Sequence, residues 1–137
     1  MMTNTVHKRI AVDIGVLVAD ISTSRRFYHE LLALPIVAEV TTSLIGKGHM
    51  VQLQHGASLI KLVQLDETPP AQDAGSIASC TGYRYITLMV TDISTIMTRL
   101  KQANVPIVQP ITELGNGAVI SMVADPDGNV VEFVQEA

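Results

Sequence analysis

The amino-acid sequence repeats itself, and the repeat limits the folds open to it. The stretch LVADISTSRRFYHELLALPIV from Leu17 is echoed by MVTDISTIMTRLKQANVPIV from Met89. Asp20-Ile21-Ser22-Thr23 returns as Asp92-Ile93-Ser94-Thr95, Pro35-Ile36-Val37 as Pro106-Ile107-Val108, and Leu62-Val63-Gln64 as Phe133-Val134-Gln135. Three matches in one order and at nearly one offset define two copies of a module of about 70 residues. A single domain of 137 residues is expected, with module 1 over 9–65, a linker over 66–82 and module 2 over 83–137. The linker, DETPPAQDAGSIASCTG, is small, polar and Pro-containing, as suits a path over the surface.

Each half predicts the same order of elements. Residues 9–19 set Ile10, Val12, Ile14, Val16 and Val18 on one face at period two, the pattern of a strand rich in β-branched residues. Asp20 or Ser22 can cap a helix over 22–33, which carries Phe27, Leu31 and Leu34 inward and Arg25, Arg26, His29 and Glu30 mostly outward. Pro35 ends that helix, and strands are predicted near 36–42, 49–54 and 58–65. The second half predicts a strand at 83–91, a helix at 93–103 and strands near 106–111, 117–124 and 129–135. Turn signals sit at Gly46-Lys47-Gly48, read as a hairpin, at Gly115-Asn116-Gly117, and at Asp125-Pro126-Asp127-Gly128, read as a type I turn. One such unit alone leaves a sheet face uncovered. The fold class is therefore α+β: tandem βαβββ modules forming curved mixed sheets around a shared cleft.

Composition narrows the function. With 47% hydrophobic and 16% charged residues the chain is a globular one. Nine Lys+Arg against thirteen Asp+Glu, with no basic patch, make nucleic acid an unexpected partner. Cys80 is the lone cysteine, which excludes an internal disulfide and a Cys-rich zinc site and fits a reducing compartment. It reads as an incidental thiol in the linker. The start, MMTNTVHKRI, holds no apolar stretch of signal-peptide length, and no uncharged run approaches the ~18 residues of a membrane span. A cytoplasmic protein without a membrane partner is expected.

The repeat also picks out polar residues at equivalent places. On the first strand the alternate face reads Arg9, Ala11, Asp13, Gly15, Leu17, and its twin reads Tyr83, Tyr85, Thr87, Met89. On the fourth strand it reads Leu59, Lys61, Val63, Leu65, and its twin Val130, Glu132, Val134. Asp13 and Tyr85 are thus equivalents, as are Lys61 and Glu132, and each charged member has small or apolar neighbours. A charge so placed must be paired, open to a cleft, or functional. One reading is a compensated cluster, with Lys61 paired to Asp13 or Glu132 and Tyr85 donating to a carboxylate. The other is the polar floor of a ligand cavity, with Tyr83, Tyr85 and Met89 as walls and Lys61 as anchor. General acid–base work by Glu132 or Tyr85 is a narrower form of the second.

Gly15, Asp20, Ser24, Phe27-Tyr28 and Leu32, followed by Asp125-Pro126-Asp127-Gly128-Asn129 and Glu132, resemble the vicinal oxygen chelate superfamily. That group includes glyoxalases, bleomycin-resistance proteins, methylmalonyl-CoA epimerases and extradiol dioxygenases. The resemblance covers essentially the whole chain and implies the duplicated fold, a homodimer, and one divalent metal held across the cleft by His, Glu or Gln, His and Glu at the quartet positions. Here Asp13 and Tyr85 stand at the histidine positions, Lys61 replaces the fourth-strand ligand, and only Glu132 matches. Ala33 stands where a glycine usually follows the helix.

A protonated lysine has no lone pair to give a metal, and a phenol must first lose a proton near pKa ~10. The four histidines do not fill the gap: His29 lies on the polar side of its helix, His49 and His55 border turns, and His7 precedes Asp13 by too far. No cofactor is expected, and a divalent metal is disfavoured. The function expected is small-molecule binding in the cleft without the metal. The alternative is a glyoxalase- or dioxygenase-type enzyme, a lyase, isomerase or oxygenase, with an altered metal site or with Glu132 as proton-transfer group. Phe27-Tyr28 reads as core, and Met50 and Met122 as ordinary strand filling.

Overall fold

The computed structural model describes residues 9–72 and 75–137. Module 1 runs β1 (Ile14–Leu17), α1 (Ile21–Arg25), a π-helical stretch (Arg26–Leu31), β2 (Ile36–Thr42), β3 (Gly48–His55) and β4 (Ser58–Leu65). Module 2 runs β5 (Tyr85–Met89), α2 (Ile93–Gln102), β6 (Ile107–Glu113), β7 (Val119–Ala124) and β8 (Val130–Gln135). Each module makes its own mixed four-stranded sheet, in the orders β1-β4-β3-β2 and β5-β8-β7-β6. The first strand of each lies parallel to the last, and the other pairs are antiparallel. This is the α+β tandem βαβββ fold that the repeat predicts. Among the described residues no helix is long and apolar enough to cross a membrane.

The equivalence of the halves extends to their caps. The Asp20 carboxylate accepts from the Ser22 N–H at the start of α1, and Asp92 accepts from the Thr95 N–H at the start of α2. Both helical segments leave through a left-handed residue, Ala33 at φ 60° and Asn104 at φ 58°. The hydrophobic faces of both sheets and both helices enter one core cluster, from Val18, Val51 and Leu62 in module 1 to Leu88, Val123 and Phe133 in module 2.

The modules are also bolted together by polar groups. Asp125-Pro126-Asp127-Gly128 closes as the expected turn, with the Gly128 N–H donating to the Asp125 carbonyl at 3.0 Å. Both of its carboxylates then reach into module 1. The buried Tyr28 hydroxyl donates to Asp125 at 2.7 Å, and Asp127 accepts from the Ala19 N–H at 3.0 Å and, at 3.4 Å, from Ser24 Oγ. In return Arg99 on α2 donates to the Leu31 carbonyl at 2.7 Å, where the π-helical stretch ends.

Two elements depart from the expectation. The strand predicted over 9–19 is β1 alone, and Ile10 and Val12 are 83% and 82% exposed. Its partner decides this: Ile14 pairs with Ile60 and β4 begins at Ser58, so little of the sheet remains for the residues before Ile14. The helix predicted over 22–33 is α-helical only to Arg25 and then widens, so that Leu32 N–H donates to the Phe27 carbonyl. Inside the linker, Ile77–Ser79 forms one 3-10 turn, and the Arg84 guanidinium donates to the carbonyls of Ser76 and Ile77 at its start.

Candidate functional site

Strand alternation gives each sheet a covered face and an open one. Ile14, Ile60 and Leu62 look toward the helices, so Gly15 and Leu17 on β1, with Leu59 and Lys61 on β4, look the other way, and Asp13 just before β1 bonds the Leu59 N–H at that edge. In module 2, Leu88, Val131 and Phe133 look toward the helices, which turns Tyr85, Thr87 and Met89 on β5, with Glu132 on β8, outward. The four singled-out residues therefore all lie on open faces. Asp13 and Lys61 share the first sheet; Tyr85 and Glu132 share the second. No strand of one sheet hydrogen-bonds to the other, and the modules meet chiefly where the π-helical stretch packs on α2.

Within the first sheet Asp13 is already satisfied. Arg9 clamps it through two bonds of 2.9 and 2.8 Å and also donates to the Ala57 carbonyl, while the Leu59 N–H donates to Asp13 at 2.8 Å. The Arg9 hydrogen bonds, then the Leu59 N–H, hold the Asp13 carboxyl well below the usual carboxylate range. Lys61 adds a weaker through-space pull on it. Lys61 itself is half-buried between its Cα partners Gly15 on β1 and Gln52 on β3, and among the described residues its side chain makes no hydrogen bond or ion pair. A Cβ added at Gly15 would meet nothing within 4 Å, so the surface beside Lys61 dips.

Within the second sheet Glu132 is half-buried and accepts from the Thr87 hydroxyl at 2.7 Å, its partner across the ladder. Tyr85 and Met89 are about half exposed, and Tyr83 precedes β5 fully exposed. The compensated cluster of the sequence reading is thus not how these charges are arranged. Asp13 takes Arg9 and Glu132 takes Thr87, and Lys61 is hydrogen-bonded to neither carboxylate. Arg9 and Thr87 are the partners that sequence reasoning missed. Their signal was available: each lies on the same alternating face as the residue it serves.

These residues do not suit a dication. Asp13 is held by a guanidinium, Lys61 brings a positive charge and no lone pair, and Glu132 lies on the other sheet. Among the described residues no three His, Cys, Asp or Glu side chains gather as a metal cluster. His29 is exposed on the helix, His49 bonds Glu39 at 3.3 Å on the helix-side face, and His7 lies outside the described residues. Two open depressions dent the surface, one of about 450 Å³ beside Met89, Gln135 and Glu136 and one of about 350 Å³ along α2 at Thr95 and Thr98. Of the singled-out residues only Met89 borders either.

Comparison with known proteins places this arrangement. The family model described as Glyoxalase/Bleomycin resistance protein/Dioxygenase superfamily matches residues 10–133. No curated protein matches the sequence significantly. Among solved structures, a glyoxalase family protein from Bacillus cereus superposes with a TM-score of 0.79 at 17% identity, covering 99% of each chain. TioX from Micromonospora sp. ML1 gives 0.67 at 18% identity, over 93% of this chain and 98% of its own. The trypanothione-dependent glyoxalase I of Leishmania major gives 0.69 at 22% identity, over 90% of this chain and 84% of its own. At these identities the likeness is one of fold.

Proposed function

Because the chain belongs to the Glyoxalase/Bleomycin resistance protein/Dioxygenase superfamily, we propose that it binds a small molecule on the open faces of its sheets, without a resident metal. The observation that carries this is that Lys61 and Glu132 stand on β4 and β8, with Asp13 and Tyr85 at the neighbouring sheet edges, on faces that the helices leave open and that carry several exposed apolar side chains. Leu17, Val40, Tyr85 and Met89 are all exposed there. A polar centre ringed by apolar side chains is the make-up of a ligand site, and a face this apolar is seldom left to water. Pairing of two copies, face over face, would close it into a cleft. Light scattering should then give twice 14.7 kDa at micromolar concentration; the mass of one chain would refute the pairing.

The metal-free reading is tested by elemental analysis of protein purified without a histidine tag. Less than a tenth of an equivalent of zinc, nickel, iron or manganese is expected. One equivalent that disappears in Glu132→Ala would overturn it.

A second reading, of glyoxalase-type enzyme, draws on Glu132. Thr87 holds one of its carboxylate oxygens while the side chain remains open to the face, as suits a proton-transfer group. Turnover of a glyoxalase-type substrate by metal-depleted protein, abolished in Glu132→Gln, would establish this reading. Turnover only after metal is restored would exclude it.

A further inference from the structure

We infer that the open face of the first sheet selects a ligand bearing a carboxylate, received by the Lys61 ammonium over the dip at Gly15. This rests on the reading that the open faces bind a small molecule, and it names the chemistry of that molecule.

Charge comes first. The first sheet's open face carries Arg9, Asp13 and Lys61. The Arg9 guanidinium and the Asp13 carboxylate cancel through a two-point clamp, and the Leu59 N–H occupies Asp13 further. One positive charge is left, that of Lys61. The side chain is half-buried along its stem and, among the described residues, its ammonium meets no hydrogen-bond acceptor. A carboxylate supplies the acceptor at the least cost, since bonds between two charged groups are about twice as strong as neutral ones.

Space and a second donor lie alongside. Gly15 flanks Lys61 on β1 with open room where any other residue would place a side chain. Gln52 flanks it on β3, and its amide N–H donates only to the Met50 sulfur, at 3.3 Å. A thioether is a weak acceptor, so that amide can turn to a carboxylate oxygen with little loss. Past the polar group, Leu17 on β1 and Met50 on β3 flank the buried Val63 on β4 and offer the apolar surface for the body of the ligand. The molecule that fits is a monocarboxylate with an apolar ring or chain.

Naphthoate and naphthamide test this, because they share the ring and differ in the charge. Both are titrated into the full chain, with backbone amide chemical shifts as the readout. Naphthoate should bind at least about tenfold tighter, and should shift Gly15, Gln52 and Lys61. Lys61→Met should remove that preference while leaving the weaker naphthamide binding and the thermal midpoint in place, and Lys61→Arg should keep it. Equal binding of the two probes to the wild-type protein, with shifts on the open faces, would overturn the carboxylate assignment and leave the ligand-face reading standing. Binding of neither probe would overturn both.

Discussion

Ser121 carries a buried hydroxyl that finds no hydrogen-bond partner among the described residues. It sits on β7 opposite Phe133, on the face turned to the helices. A buried polar atom without a partner costs more than the methyl that could replace it, so Ser121→Ala should raise stability by about 1 kcal/mol. Urea unfolding measures this, and a loss of stability would reveal a bond the hydroxyl makes. Ala33 is a second residue working against its own chemistry. At φ 60° its Cβ crowds the backbone, at a cost of about 1–2 kcal/mol that glycine avoids. Glycine gives back part of that gain through its freer unfolded chain. Ala33→Gly should therefore be stabilising by about 0.5–1 kcal/mol in the same assay. Its twin, Asn104, already has a side chain that tolerates this region.

At the scale of the element, the widened helix is what buries two successive aromatic rings. Phe27 and Tyr28 are both almost wholly buried, and their rings meet edge to face with centroids 4.7 Å apart. A regular helix turns successive side chains by about 100°, which carries one of two neighbours away from a narrow core. Here one ring fills the core and the other brings its hydroxyl to Asp125. Burial, then the charge of Asp125 beside it, pushes the Tyr28 phenol well above its ordinary value. A pKa raised on folding means that the folded chain holds its proton more tightly than the unfolded chain. The stability this contributes is complete below the unfolded value near 10 and is lost as the pH climbs above it. Tyr28→Phe should cost about 1–3 kcal/mol at neutral pH, by leaving Asp125 short of a donor. It should also flatten the fall in stability above pH ~10. Denaturant midpoints from neutral to alkaline pH read both effects, and an unchanged alkaline slope in the variant would refute the assignment.

For the whole molecule, the two modules should unfold as one. Their hydrophobic residues form a single cluster, and the Asp125–Asp127 turn ties the start of α1 to module 2. Asp127→Ala removes the acceptor for the Ala19 N–H and should cost about 1–2 kcal/mol, in the manner of a lost cap. The transition should nevertheless stay single, because the shared core remains. Calorimetry in which the variant shows two separated transitions would mean that the modules are joined by the turn and not by the core.

Much of this protein was legible before any strand was paired. The doubled module is written in the repeat itself, and a cap at Asp20 or Ser22, the stop at Pro35 and the Asp125–Gly128 turn follow from residues a few positions apart, where local geometry leaves few choices. The sequence also placed Asp13, Lys61, Tyr85 and Glu132 at equivalent positions facing away from the core, since period two decides the face of a strand. What each of them meets depends on how the strands pair. Ladder register sets Thr87 opposite Glu132 and Gly15 opposite Lys61, and the late start of β1 relative to β4 keeps the residues before Ile14 out of the ladder, where Arg9 folds back on Asp13. Each module closes its own sheet, so the two halves of the quartet stay on separate sheets. Periodicity says which way a side chain points. Arg9 reaches Asp13 from four residues away, but Thr87 and Glu132, or Gly15 and Lys61, come together only when strands distant in the chain pair.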